Sequence, residues 1–123
     1  MQKIFVFGSN LLGVHGAGAA RDAYLSHGAE WAVGIGRTGN SYAISTKDLL
    51  INTLPLDAIR NYVNEFIIYA KEHSELLFEV TKIGCGLAGY KNEDIAPMFA
   101  DATGNCLLDD EWIKIIERLK DAN

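Results

Sequence analysis

Short apolar runs along the chain predict the strands of a sheet. Residues 4–7, 41–45 and 76–83 are rich in β-branched and aromatic side chains, which is typical of buried strands. A shorter run at 106–108 has the same character. Residues 34–40 are rich in glycine and other turn formers, and they are predicted to form turns rather than a strand.

Apolar side chains spaced three and four residues apart predict helices between these strands. The clearest run covers residues 56–70 and forms one apolar face. Residues 17–25 have a helical composition, and Gly28 stands where a left-handed C-terminal cap would sit. A third helix is predicted to begin at a capping Asn92. A fourth presents Trp112, Ile115, Ile116 and Leu119 on one face. The order β-α-β-α-β-α-β-α favours an α/β domain with helices on both sides of a sheet.

Composition favours one globular domain over residues 1–123, since 49% of the residues are hydrophobic. The 11 Lys and Arg against 16 Asp and Glu give a net charge of −5, which provides no long-range attraction to nucleic acid or to an anionic membrane. No apolar stretch approaches the ~20 residues of a membrane span, and the opening residues carry no basic leader. A cytoplasmic location is therefore expected, while the oligomeric state stays open.

Cysteine and histidine spacing predicts neither a metal site nor a bound cofactor. Cys85 and Cys106 lack metal-ligand or redox spacing, so reduced thiols are expected rather than a disulfide. His15, His27 and His73 lie in separate segments, without the pattern of a zinc site.

Two glycine-rich segments, 8–20 and 83–90, each follow a predicted strand and lead toward a helix. Glycine lets backbone N–H groups approach a ligand closely, and a helix N-terminus adds unpaired donors and a partial positive charge. If both strands end at the same edge of the sheet, Ala17 and Leu87 would reach one ligand, and two amide nests could hold one diphosphate. The glycines could instead serve only tight turns and close packing.

Two known phosphate-binding motifs bear on these two segments. Neither contains the Gly-Lys pair of a P-loop. The dinucleotide-binding pattern Gly-x-Gly-x-x-Gly is absent from the first segment but matches residues 84–89 literally. That match lies late in the chain and no acid on a following strand is available for a ribose, so it is weak evidence for a dinucleotide fold.

Three segments resemble the macrodomain family. Residues 8–20 are similar to the macrodomain loop in which an Asn near a strand end precedes a Gly-rich turn into a helix. Residues 83–89 resemble the other ligand loop, especially in macrodomains that remove ADP-ribose from acidic side chains, and residues 42–47 resemble the strand and Thr-Lys segment of that branch. A compact phage or bacterial subgroup is suspected. The resemblance implies a three-layer α/β/α sandwich with a mixed sheet that binds ADP-ribose or a related nucleotide diphosphate.

The resemblance also assigns site residues. Asn10 would face the terminal ribose and Lys47 would attack the anomeric carbon, which makes these two the candidate catalytic residues. The candidate ligand-binding residues are Ser9, Asn10, His15, Gly16, Ala17, Gly18, Gly84, Cys85, Gly86, Leu87, Ala88, Gly89 and Tyr90.

The chain departs from the family pattern at two places. Ala88 occupies the position of the acid that assists the lysine, so the complete catalytic pair is missing. The chain starts close to the strand before the first loop, so an N-terminally shortened macrodomain-like fold is expected, without the acid that commonly reads adenine.

Several residues have an alternative structural interpretation. Asn10 could bond only local backbone, and His15 could be a solvent-exposed loop imidazole. Lys47 would be an ordinary strand-end lysine unless burial lowers its pKa. Cys85 could be a small buried side chain, and Tyr90 could pack over its loop.

These observations leave three alternative functions open. The first is a module that binds a small nucleotide ligand such as ADP-ribose. The second is a hydrolase acting on an ADP-ribosyl ester or an ADP-ribose phosphate. The third is a non-catalytic structural or partner-binding protein, which an exposed Trp31 or Trp112 would favour.

Overall fold

A computed structural model describes residues 1–122 and shows a mixed α/β architecture. The strands and helices follow in the order β1 (Lys3–Asn10), α1 (Gly18–Ser26), β2 (Gly36–Thr38), β3 (Ser41–Lys47), α2 (Leu56–Glu72), β4 (Leu77–Val80), α3 (Asn92–Ile95), β5 (Cys106–Leu107) and α4 (Asp110–Asp121). A 3₁₀ turn at Ala96–Phe99 directly follows α3.

The strands form one mixed sheet in the order β2-β3-β1-β4-β5. Strand β1 is parallel to both β3 and β4, and β4 is parallel to β5. Strand β2 is antiparallel to β3. The parallel strands therefore bring the ends of β1, β3 and β4 to the same edge of the sheet.

Strand β2 corrects the prediction of turns over residues 34–40. Gly36–Thr38 pair with the start of β3, and the Ser41 hydroxyl donates to the Thr38 carbonyl across the hairpin at 2.7 Å. Its three residues have no apolar alternation. They form a strand because they pair with the edge of β3.

Alternating side chains divide the core into two layers. Ile4 and Val6 of β1 pack under α2, α4 and the 3₁₀ turn, where Phe66, Phe78 and Trp112 are fully buried. Phe7 of β1 and its neighbour Ala43 of β3 point to the opposite face, where they pack with Ala20 and Ala23 of α1 and with Ala29. The molecule is thus a three-layer α/β/α sandwich with its larger core on the α2 and α4 side.

The predicted helices are found at nearly their expected positions. Helix α1 ends at Ser26, and Gly28 has the left-handed φ of +76° expected beyond a C-terminus. Helix α2 continues to Glu72, two residues beyond the predicted end. In α4 the predicted face is buried except for Leu119, which is 46% exposed.

Asn92 does not cap its helix, contrary to the prediction. The residue lies inside α3, and its side-chain oxygen accepts a bond from the Trp112 indole N–H at 2.8 Å. A buried indole N–H requires an acceptor, and the Asn92 side chain provides it, which connects α3 to α4. The α3 terminus is closed instead by Asp94, whose carboxylate accepts from the Lys91 N–H at 3.1 Å.

Candidate functional site

A cleft of about 550 Å³ opens where β1, β3 and β4 end. This is the position at which ligands bind in open α/β sheets, because the connections leaving neighbouring strands diverge to opposite faces there. The cleft is lined by residues 8–10, 14, 16–20, 46–47, 51, 81–84 and 86–88.

Both glycine-rich loops border this cleft. Ala17 and Leu87 are among the lining residues, and a Cβ built on Gly18 would lie 3.6 Å from the Leu87 Cδ1. The expectation that the two bends meet at one edge of the sheet is therefore confirmed. That they hold a diphosphate stays a prediction.

The first loop is shaped by Asn10 and Gly13. The Asn10 side chain donates to the Val14 carbonyl at 2.9 Å and accepts from the Val14 N–H at 3.0 Å. Gly13 has a φ of +71°, and a Cβ there would lie 2.3 Å from the Ala32 carbonyl carbon. The structure thus shows the local-backbone interpretation of Asn10, whose amide holds the turn that precedes Gly16.

Beyond this turn the first loop carries unpaired backbone donors on residues that line the cleft. Within residues 1–122, the N–H groups of Gly16, Ala17 and Gly18 have no hydrogen-bond acceptor. Ala17 stands at the N-cap of α1, where no side chain caps the helix and its first turn contains no acid. Such an uncapped N-terminus favours an anion.

The second loop presents a matching set of donors. The N–H groups of Cys85, Gly89 and Tyr90 bond to carbonyls of the same loop. In contrast, the amides of the intervening residues 86–88, all of which line the cleft, have no acceptor in the described chain. Gly84 permits this bend with its φ of +77°.

The hydroxyl groups in the cleft are engaged by the protein itself. Ser9 donates to the Gly34 carbonyl, Thr46 donates to the Ser9 carbonyl at 3.1 Å, and Thr81 donates to the Val6 carbonyl at 2.7 Å. These side chains stabilise the strand ends, and their protons are not available to a ligand.

Lys47 and Lys82 are the charged residues of the described chain that line the cleft, and no carboxylate joins them there. Lys47 ends β3, and its Cα pairs with that of Asn10 on β1. Lys82 was not among the sequence-based candidates, nor were Thr46, Thr81 and Ile51. The prediction of strand β4 to residue 83 placed Lys82 and Thr81 inside the sheet, whereas β4 ends at Val80.

His15 lies outside the cleft, and the prediction of a solvent-exposed imidazole is wrong. Its ring is 1% exposed and packs edge-on against Phe7 and Trp31. Nε2 lies 2.9 Å from the Glu30 carbonyl, while Nδ1 has no partner within the described residues. The imidazole therefore packs the first loop against residues 30–31, and its two aromatic neighbours shield it from solvent.

Three candidates of the second loop also lie outside the cleft lining: Cys85, Gly89 and Tyr90. The Tyr90 hydroxyl donates to the Leu54 carbonyl at 2.7 Å, and the residue packs against the larger core. Burial raises the pKa of the Cys85 thiol to about 11, with Lys82 partly opposing the shift. The thiol is therefore protonated near neutral pH and is a poor nucleophile.

Comparisons with protein-family models, curated proteins and solved structures found no match to this chain. Within residues 1–122, no cluster of three or more His, Cys, Asp and Glu side chains could hold a metal ion. None of the helices described for this chain is both long and apolar enough to span a bilayer.

Proposed function

We propose that the cleft binds a nucleoside diphosphate sugar of the ADP-ribose type, with its diphosphate held between the two glycine-rich loops. The observation that carries this proposal is two sets of backbone amides, at residues 16–18 and 86–88, that line one cleft and have no acceptor in the described chain. Backbone N–H groups without a protein partner are available to a ligand, and phosphate oxygens are acceptors that two separate nests can share.

The charges and the size of the cleft support an anionic ligand of this kind. The chain has a net charge of −5, yet the charged side chains lining the cleft are Lys47 and Lys82. A volume of about 550 Å³ lies within the roughly 300–1,000 Å³ of typical small-molecule sites. The lining is mainly apolar, which suits the faces of a sugar and a base.

The resemblance to macrodomains supports the same ligand class. Each of the three segments on which that resemblance depends contributes residues to this one cleft: 8–20 through its glycines, 42–47 through Lys47 and 83–89 through Leu87. Segments that match a family in sequence order and then meet at one site are what a shared binding function would require. We therefore propose a macrodomain-type binding module.

Isothermal titration calorimetry with ADP-ribose tests this proposal. We expect saturable binding with a stoichiometry of one, accompanied by a rise in the melting temperature. Affinity should decrease with added salt because the lysine charges are screened. The absence of both heat and thermal shift with ADP-ribose, its phosphates and NAD would reject the proposal.

A hydrolase is the second candidate, because Lys47 borders the cleft beside Asn10. No carboxylate of the described chain lines the cleft to assist Lys47. Turnover of O-acetyl-ADP-ribose and of ADP-ribosylated protein by wild type, Lys47→Ala and Asn10→Ala should be compared, with Lys82→Ala as a charge control. Equal rates in all four proteins would remove Lys47 and Asn10 from any mechanism.

A further inference from the structure

The cleft lacks side chains that could read the edge of a nucleobase. Adenine, guanine and uracil differ in the donors and acceptors along their edges, and proteins distinguish them with carboxylate, amide or guanidinium groups. No Asp, Glu, Gln or Arg within residues 1–122 lines the cleft, and its one amide side chain, Asn10, is bonded at both ends to Val14.

The hydroxyl groups of the cleft and two of its backbone carbonyls are also engaged, whereas the unpaired backbone amides at 16–18 and 86–88 are assigned to the diphosphate. Ser9, Thr46 and Thr81 donate their hydroxyl protons to backbone carbonyls. The carbonyl of Ala88 accepts from the Thr53 hydroxyl at 3.0 Å, and that of Gly86 accepts from the Gly89 N–H at 3.0 Å. Lys47 and Lys82 are flexible point charges, and the diphosphate attracts them more strongly than a neutral base does.

Three exposed large apolar side chains line the cleft: Val14 in the first loop, Ile51 after β3 and Leu87 after β4. Ile51 and Leu87 are 42% and 69% exposed. The Thr53 hydroxyl bond to Ala88 joins their two loops. Covering exposed apolar side chains with a flat apolar part of a ligand removes their surface from water, which stabilises the complex.

Ile51 is held at the cleft by its loop despite an unfavourable backbone conformation. Its φ is +63°, a value that β-branched residues rarely adopt. The Asp48 carboxylate maintains this turn by accepting from the N–H groups of Leu50 and Asn52, both at 2.9 Å. The turn therefore places an apolar side chain at the cleft, and this side chain cannot form a hydrogen bond with the edge of a base.

We infer that the site binds nucleoside diphosphate sugars without selecting the base, which packs against Ile51 and Leu87 while amides and lysines hold the diphosphate. The inference rests on the proposed function, because it assumes that a diphosphate occupies the two loops. It defines the ligand class by its charge and its flat apolar face rather than by adenine.

Calorimetry with ADP-ribose, GDP-ribose and UDP-ribose tests the inference. We expect the dissociation constants of the ADP- and GDP-sugars to agree within about threefold, with the smaller uracil somewhat weaker, since contact area alone differs. A site that hydrogen-bonds a distinguishing group rejects the analogue that lacks it by about 10⁴- to 10⁵-fold. A preference of about tenfold or more for ADP-ribose over GDP-ribose would overturn the inference while leaving the proposed function intact. No binding of any of the three would overturn both.

A variant pair tests where the base lies. Leu87→Ser should weaken binding of the ADP- and GDP-sugars by the same factor, about tenfold, because a shared apolar contact is lost. Leu50→Ser is the matched control, since Leu50 is 80% exposed and does not line the cleft. Unchanged affinity in Leu87→Ser, or weakening of one base only, would contradict the inference.

Discussion

Three glycines allow the two-loop site to be tested without disturbing the fold. Gly16 and Gly86 line the cleft, whereas Gly104 lies before β5 and does not. At each of the three positions φ lies outside the left-handed region, and an added Cβ would meet no atom within 4 Å. A valine at any of them is therefore expected to change the free energy of unfolding by no more than about 1 kcal/mol.

The effect on binding should differ between these positions. A valine at Gly16 or Gly86 places a branched side chain beside amides that we propose to contact phosphate. Loss of one hydrogen bond to a charged group costs about 1.5–3 kcal/mol, which corresponds to a roughly 10- to 150-fold rise in Kd. Gly104→Val should bind like the wild type.

Calorimetry with ADP-ribose and thermal melts of all four proteins provide the assay. The melting temperatures should agree within about 3–6 °C, the shift that ~1 kcal/mol produces in a chain of this length. If Gly16→Val and Gly86→Val bind ADP-ribose as tightly as Gly104→Val, neither loop holds the ligand and the assignment of the cleft is refuted. A drop in melting temperature well beyond this range would show instead that the glycines serve the fold.

Three further predictions concern charge, packing and pH. Lys82→Met should weaken ADP-ribose binding about tenfold at low salt and reduce the salt dependence of binding, because one positive charge of the cleft is lost. The control Lys71→Met, in the last turn of α2, should leave both unchanged. Calorimetry at several salt concentrations measures the two effects. Asn92→Ala should lower the free energy of unfolding by about 1–3 kcal/mol in urea titrations, because it leaves the buried Trp112 N–H without its acceptor; an unchanged urea midpoint would contradict this role. Stability should decrease as pH rises above 9, because burial raises the pKa of Cys85 from 9.0 to about 11 and the unfolded chain loses its proton first. Urea midpoints between pH 8 and pH 11 should therefore fall less steeply for Cys85→Ala than for the wild type, and parallel profiles would exclude this contribution.

Much of the fold could be predicted from local pattern because its main elements are strongly periodic. Residues 56–70 have an apolar face that makes helix α2 recognisable, and the run at 4–7 belongs to β1. Strand β2 could not be predicted, since residues 36–38 have no strand pattern and become a strand only by pairing with β3. The prediction that Asn92 caps a helix was wrong because an asparagine side chain suits either a helix cap or an acceptor for the Trp112 N–H. The sequence does not show that α4 lies beside Asn92.

The candidate site divides in the same way. Sequence by itself determined that glycine-rich turns follow two strands, because backbone conformation there depends on local residue type. Only the tertiary structure decided that these turns meet at one cleft, that His15 is buried between Phe7 and Trp31, and that Lys82 borders the cleft. Strand pairing brings residues distant in the chain together, so which side chains face the cleft and which are already bonded depends on neighbours that local sequence does not specify.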